Sequence, residues 1–196
     1  MAENSPFTYD FNSEIQVTVP ISAFLQATDE GEAALQNAVL MAIANFGDET
    51  DGEITNVADL FSGLGTFSLP IAKRYQTLAV EGELKLVSAQ KLGAQKKIVT
   101  NLTVEHRDLF RRPLTVAELN MFDAVVFDPP RAGAEAQVAM LSQSQVPLII
   151  AVSCNPNTFA RDARELIEGG YKLKFIQPVD QFLWSHHVEL VGVFTK

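Results

Sequence analysis

The chain has 196 residues, 47% hydrophobic and 20% charged, with a formal net charge of -9, which is enough apolar material for one domain with a full core. No stretch is long and apolar enough to span a bilayer, and residues 1–10 lack the basic opening of a secretory signal. The single cysteine excludes an internal disulfide framework or a multi-cysteine metal site, so the expectation is a cytoplasmic protein with no metal. The charge is uneven: residues 1–72 hold eleven Asp or Glu and no Lys or Arg, whereas the remainder sets 15 basic residues against 13 acidic ones. Any nucleic acid is therefore expected on the later part.

In chain order, residues 1–13 show no usable periodicity and read as a tail or disordered terminus, with residues 14–196 forming a single domain. Alternation over 14–19 predicts a short strand stopped by Pro20. Thr28 or Asp29 can cap a helix that ends near Gly47, its apolar face running through Leu35, Val39 and Ile43 as a lid or flank. Strands are then predicted near 56–60, 77–80, 102–105, 122–127 and 147–152, with helices over 67–74, 83–95, 134–143 and 157–168. The last two strands, 171–178 and 187–195, have no helix-length connection and should pair antiparallel. The result is an α/β fold with a seven-stranded, mainly parallel sheet and an antiparallel last strand.

A parallel sheet exposes its chemistry at the carboxyl ends of its strands, and four segments fall there. Gly63 and Gly65 lie in the first strand-to-helix turn, where missing side chains let a ligand approach the backbone and free N–H groups. Ser68 breaks a full G-x-G-x-x-G pattern, which disfavours a pyrophosphate. Glu81 ends the next strand, placed to accept from ribose hydroxyls, or else a solvated charge. Asp128-Pro129-Pro130-Arg131 is stiffened by two prolines, which hold Asp128 and Arg131 in place for reaction chemistry.

Cys154 follows the apolar run 148–152 and opens a helix, a position suited to a nucleophile as well as to a buried structural thiol. Glu189 stands inside an apolar strand; it is either a buried carboxyl suited to proton transfer or a residue facing outward from an edge strand. His186 and His187 are adjacent and so poorly spaced to share a metal.

Together these segments resemble the RNA (uracil-5) methyltransferase family, over about residues 23–194. Phe24-Leu25-Gln26 is similar to its glutamine motif, residues 59–66 to its cofactor loop, and His187-Val188-Glu189 to its closing motif. Its most specific signatures look like Asp128-Pro129-Pro130-Arg131-Ala132-Gly133 and Ser153-Cys154-Asn155-Pro156. The resemblance implies a Rossmann-like class I methyltransferase that methylates carbon 5 of a uridine in RNA, ribosomal rather than transfer, as a monomer. It implies contact between S-adenosylmethionine and Gln26, Phe61, Thr66, Glu81, Asp108 and Asp128. Cys154 is implied as nucleophile, Glu189 as base and Arg131 as stabiliser of the enolate oxygen.

Two departures accompany it: Ser62 replaces a frequent cysteine, and His186 a frequent proline. The family's N-terminal RNA-binding domain is expected to be absent. Arg107, Arg111 and Arg112, after the third core strand, are expected to form a phosphate platform, and Trp184 to stack on the target base or else cover the core. The alternatives are an amino-group methyltransferase, which would carry an aromatic residue in place of Arg131, and a fragment that binds cofactor without turnover.

Overall fold

The computed structural model describes residues 7–11, 15–21, 23–50, 53–96, 99–181, 184 and 188–196. The described chain opens with β1 (Thr8–Phe11) and β2 (Ile15–Thr18), paired antiparallel with Thr8 opposite Thr18. Thr8–Phe11 is thus a strand where the sequence suggests a tail. Four residues are too few for alternation to register, and the strand owes its order to its partner. That partner is anchored by Val17, which packs fully buried against a later helix at Gly93, where a methyl group would sit 2.7 Å from its Cγ2.

Next comes α1 (Asp29–Thr50), capped by Thr28, whose Oγ1 accepts the Gly31 N–H at 3.0 Å, with Asp29, Glu30 and Glu32 complementing the dipole of the first turn. It runs through Gly47 rather than ending there. An interior glycine costs only about 1 kcal/mol, less than the burial of Leu35, Val39 and Ile43 on the same helix supplies.

The body then alternates: β3 (Asn56–Leu60), α2 (Ser68–Ile71), β4 (Gln76–Glu81), α3 (Leu84–Lys96), β5 (Leu102–His106), α4 (Val116–Leu119), β6 (Ala124–Phe127), α5 (Glu135–Ser142), β7 (Leu148–Ser153), α6 (Pro156–Glu168), β8 (Lys172–Val179) and β9 (Glu189–Thr195). Helix α2 is shorter than the pattern predicts, because beyond Ile71 it tightens into i+3 turns, Lys73 N–H to Pro70 O at 3.4 Å and Arg74 N–H to Ile71 O at 3.0 Å. Helix α4 goes unpredicted; a capping box of Thr115 and Glu118 makes its single turn.

The seven strands lie in the order β5-β4-β3-β6-β7-β9-β8, the pairs among β3 to β7 parallel and β9 antiparallel to both its neighbours. Strands β6 and β7 are buried along their whole length, which is why they read as unbroken apolar runs. One face packs Val57, Val126, Ile150 and Val191 against α1. The other packs Ala58, Val125, Ile149 and Phe194 against α5 and α6. Each fully buried Val, Leu, Ile or Phe is worth about 1.5–3 kcal/mol, so the two covered faces hold the carboxyl ends of β3, β4, β6 and β7 rigidly in one row.

Candidate active site

The first part of that row is the loop between β3 and α2. Phe61 leaves the strand with φ +61°, a left-handed conformation that costs a bulky residue about 1–2 kcal/mol. Its ring meets Phe110 at 5.3 Å between centroids. Gly63 and Gly65 follow with φ +56° and +99°, which glycine adopts without strain.

Side chains from three other elements pin this loop. Glu81, at the end of β4, accepts the Gly63 N–H on Oε2 at 2.9 Å and the Glu83 N–H on Oε1 at 2.8 Å. Gln90 of α3 donates from Nε2 to Ser62 Oγ at 2.8 Å and to the Gly63 carbonyl at 2.6 Å. Gln36 of α1 donates to the Thr66 carbonyl at 3.0 Å and to Glu32 Oε1 at 3.0 Å.

The second part of the row lies past β6, β7 and β9. Asn155 caps α6 by accepting the Asn157 N–H at 3.0 Å on Oδ1, with Pro156 in the first turn. Its Nδ2 donates to the Arg131 carbonyl at 3.1 Å, and Thr158 Oγ1 reaches the same carbonyl at 3.4 Å. The proline loop and the cysteine turn are thereby tied together, fixing Arg131 relative to Cys154. Because β9 runs antiparallel between β7 and β8, its first residue emerges at the carboxyl edge of β7. Ser153 faces Leu190, and the next position outward sets Glu189 beside Cys154. Glu189 is only 4% exposed and sits on an interior strand, so it does not point outward from an edge.

These parts enclose a cavity of about 480 Å³, within the size range of small-molecule sites. Gln26, Phe61, Gly63 and Thr66 line one side, and Asp128, Arg131, Cys154 and Glu189 the other, with Phe24 and Leu86 adding apolar surface.

The charges in it are unbalanced. Burial, then the nearby Glu189 and Asp59, push the Asp128 carboxyl up to about 8. Asp59, wholly buried beneath the loop, rises to about 7 through burial, with Glu81 adding to the rise and a hydrogen bond from Ser68 opposing it. Its Oδ1 has no donor among the described residues. Burial also raises Glu189. Cys154 is held above the usual thiol value by burial and by Glu189 and Asp128, while Arg131 draws it down. Within this cavity Cys154 therefore rests as a thiol, surrounded by carboxyls that a cation would suit.

Other sequence-derived candidates lie elsewhere. Gly65 is buried outside the cavity, where a methyl group would sit 2.9 Å from Leu69. Glu81 and Asp108 are not on the lining: Glu81 holds the loop from behind, whereas Asp108 serves its own turn after β5, accepting the Phe110 N–H at 3.0 Å and pairing with Arg111 at 3.5 Å. Arg107 departs from the expected phosphate platform. Its guanidinium turns inward to Glu118 at 2.7 and 3.1 Å and to the Arg112 and Pro113 carbonyls, acceptors that the turn between β5 and α4 presents to it. Arg111 and Arg112 remain exposed. Trp184 is 104% exposed, with φ +66°, so it does not cover the core. His186 and His187 lie outside the described residues.

Residues that sequence reading passed over include Gln36, Gln90, Asp59 with Ser68, and Phe110. Only Gln90 left a signal, as a polar residue on the apolar face of α3 beside Val87 and Ala94. Among the described residues no group of three His, Cys, Asp or Glu could hold a metal ion, and no helix is long and apolar enough to cross a membrane.

Comparisons with known proteins fit this arrangement. An RNA methyltransferase of Mesorhizobium japonicum with no established target is 49% identical over 183 residues, 93% of this chain and 42% of that protein. The 23S rRNA (uracil(1939)-C(5))-methyltransferase of Alteromonas mediterranea is 40% identical over 142 residues, 71% of this chain and 30% of that protein. The crystal structure of the Pyrococcus abyssi tRNA (uracil-54, C5)-methyltransferase in complex with S-adenosyl-L-homocysteine superposes with a TM-score of 0.81 at 26% identity, covering 97% of this chain and 44% of that one. The chain thus spans less than half the length of these relatives. The tRNA (uracil-5-)-methyltransferase family profile matches residues 24–196, a span that takes in the glycine loop, the proline loop, the cysteine turn and the glutamate of β9, and the chain belongs to that family.

Proposed function

We propose that the protein methylates carbon 5 of a uridine in RNA from S-adenosylmethionine, with Cys154 as nucleophile and Glu189 as base. The observation that carries this reading is that Cys154, Glu189, Arg131 and Asp128 line one cavity together with Gln26, Phe61, Gly63 and Thr66. When bound, S-adenosylmethionine supplies an electrophilic methyl group on a sulfonium sulfur. The cavity suits that cation, since it is lined by the Asp128 and Glu189 carboxyls, both raised by burial, with Asp128 pushed up to about 8. Gln26, Phe61, Gly63, Thr66 and Asp128 would hold the cofactor, with Glu81 bracing the loop from behind through the Gly63 N–H.

Carbon 5 of uracil is too weak a nucleophile to accept a methyl group unaided. The Cys154 thiol gives up its proton to solvent, its thiolate adds to carbon 6 and turns the ring into an enolate, and Arg131 stabilises the oxygen that carries the charge. Once carbon 5 bears the methyl group, Glu189 removes its remaining proton, the electron pair restores the ring double bond, and Cys154 departs as thiolate. A base in a structured RNA must first leave its stack to reach the cavity. Arg111 and Arg112 would meet phosphates, and Trp184 the extruded base.

The Alteromonas relative, at 40% identity, favours 23S ribosomal RNA as substrate over the transfer RNA named for the Pyrococcus neighbour at 26%. Incubating the protein with labelled cofactor and unmodified transcripts of both RNAs, then analysing the nucleosides, tests the reading. The expected product is 5-methyluridine in ribosomal RNA, absent with Cys154→Ser. Cofactor binding without methyl transfer to either RNA would favour a binding fragment instead.

A further inference from the structure

Gln26, on the loop before α1, has its side-chain oxygen already engaged: Gln181 Nε2 donates to Gln26 Oε1 at 2.9 Å, across 155 residues of sequence. The Gln26 carboxamide is thereby oriented with its N–H donors free to face the cavity that it lines. Gln181 follows β8 and is 7% exposed. Its own Oε1 meets no donor among the described residues. The side chain lies flat against the first turn of α1 at Gly31, where an added methyl group would sit 2.4 Å from Gln181 Cγ and 2.6 Å from Cδ and Oε1.

A buried amide whose oxygen meets no donor among the described residues is a poor packing piece, since an apolar side chain of similar size would fill the space without such an acceptor. What the amide supplies in exchange is the orientation of Gln26. Glycine at position 31 supplies the room, although alanine is the better helix former there.

We propose that Gln181 is a positioning residue for cofactor binding. Seated on Gly31, it fixes the Gln26 carboxamide so that its N–H donors meet a hydrogen-bond acceptor of the bound cofactor. This rests on the methyltransferase reading above. It ties the end of β8 to the loop that precedes α1, across 155 residues of sequence.

The test is calorimetric titration of the full 196-residue chain with S-adenosylhomocysteine, alongside thermal melting. Gln181→Leu should raise Kd about five- to tenfold, the size of one lost hydrogen bond, while leaving Tm unchanged or higher because the stranded oxygen is gone. Gly31→Ala, which leaves Gln181 in the chain but denies it its seat, should weaken binding by a similar factor. In a Gln26→Ala background, Gln181→Leu should have no further effect. Wild-type affinity in Gln181→Leu or in Gly31→Ala, or an undiminished effect of Gln181→Leu without Gln26, would overturn the assignment. Absence of any S-adenosylhomocysteine binding by the wild-type chain would overturn the methyltransferase reading itself, and the role of Gln181 with it.

Discussion

Acidic residues behave differently in two parts of this fold. At the end of β4, after β5 and at the amino end of β6, three of them serve as scaffolding. Glu81 clamps two backbone N–H groups, Glu118 receives the Arg107 fork and closes a capping box, and Asp123 accepts the Thr55 and Asn56 N–H groups. These partners hold Glu118 down at about 2 and lower Asp123. Around Cys154 the pattern reverses. Among the described residues no hydrogen bond reaches the carboxyls of Asp128 or Glu189, and both are raised by burial. Satisfied acids hold the loops in place; unsatisfied ones answer to whatever enters the cavity.

The most drastic way to probe that contrast is Glu189→Gln. It should slow release of the methylated product by about 10²–10⁴-fold, the usual range for a lost general base, measured as stalled turnover in single-turnover assays. The same change removes a negative neighbour that raises the Cys154 thiol. Alkylation of this single cysteine by iodoacetamide at pH 8 should therefore become faster even as turnover stops.

On the satisfied side, Arg107→Met removes the charge-assisted bonds to Glu118 and the bonds to two carbonyls and should cost about 2 kcal/mol in urea unfolding. Turnover at saturating cofactor should change little. On the unsatisfied side the sign reverses: Asp128→Asn should stabilise the unliganded protein at pH 8 by about 1–2 kcal/mol. The Asp128 carboxyl has an ordinary value of 3.8 and a folded value of about 8. Its contribution to stability is fully present below pH 3.8 and is lost as pH rises through about 8. The Tm advantage of the variant should accordingly be small near pH 4 and grow up to pH 8; a constant difference would mean that Asp128 does not titrate this way.

The smallest effect belongs to the exposed arginines. Replacing Arg111 and Arg112 with alanine should reduce the salt slope of RNA binding by about two and leave cofactor affinity intact. An unchanged slope would remove them from the RNA-binding surface.

Much of this arrangement was legible in the sequence, and what was hidden shares a cause. Strands such as Ala124–Phe127 announce themselves because burial on both faces demands apolar residues at every position, and Leu148–Ser153 follows the same rule up to its last residue. Cys154 and Asp128 stand out by their position at the ends of such runs, and Glu189 by standing inside an apolar strand. Thr8–Phe11 was not legible, since its order depends on a partner strand. Nor was the insertion of β9 between β7 and β8, which decides that Glu189 faces inward. Arg107 misled because a charged side chain carries no mark of the acceptors that Glu118, Arg112 and Pro113 provide after folding. The glutamine contacts to Thr66, Ser62, Gly63 and Gln26 span 27 to 155 residues, and no local pattern records a hydrogen bond of that reach.

The central claim is that Cys154 bonds covalently to the target base and that Glu189 releases it. RNA carrying 5-fluorouridine tests this most directly, because a fluorine in place of the carbon 5 proton leaves Glu189 nothing to remove. Mixed with such RNA and S-adenosylmethionine, the wild-type protein should accumulate as a protein–RNA adduct that survives denaturing electrophoresis and maps by mass spectrometry to Cys154, and Cys154→Ser should form none. An adduct that persists in Cys154→Ser, or methylation of RNA that proceeds undiminished in that variant, would contradict the account.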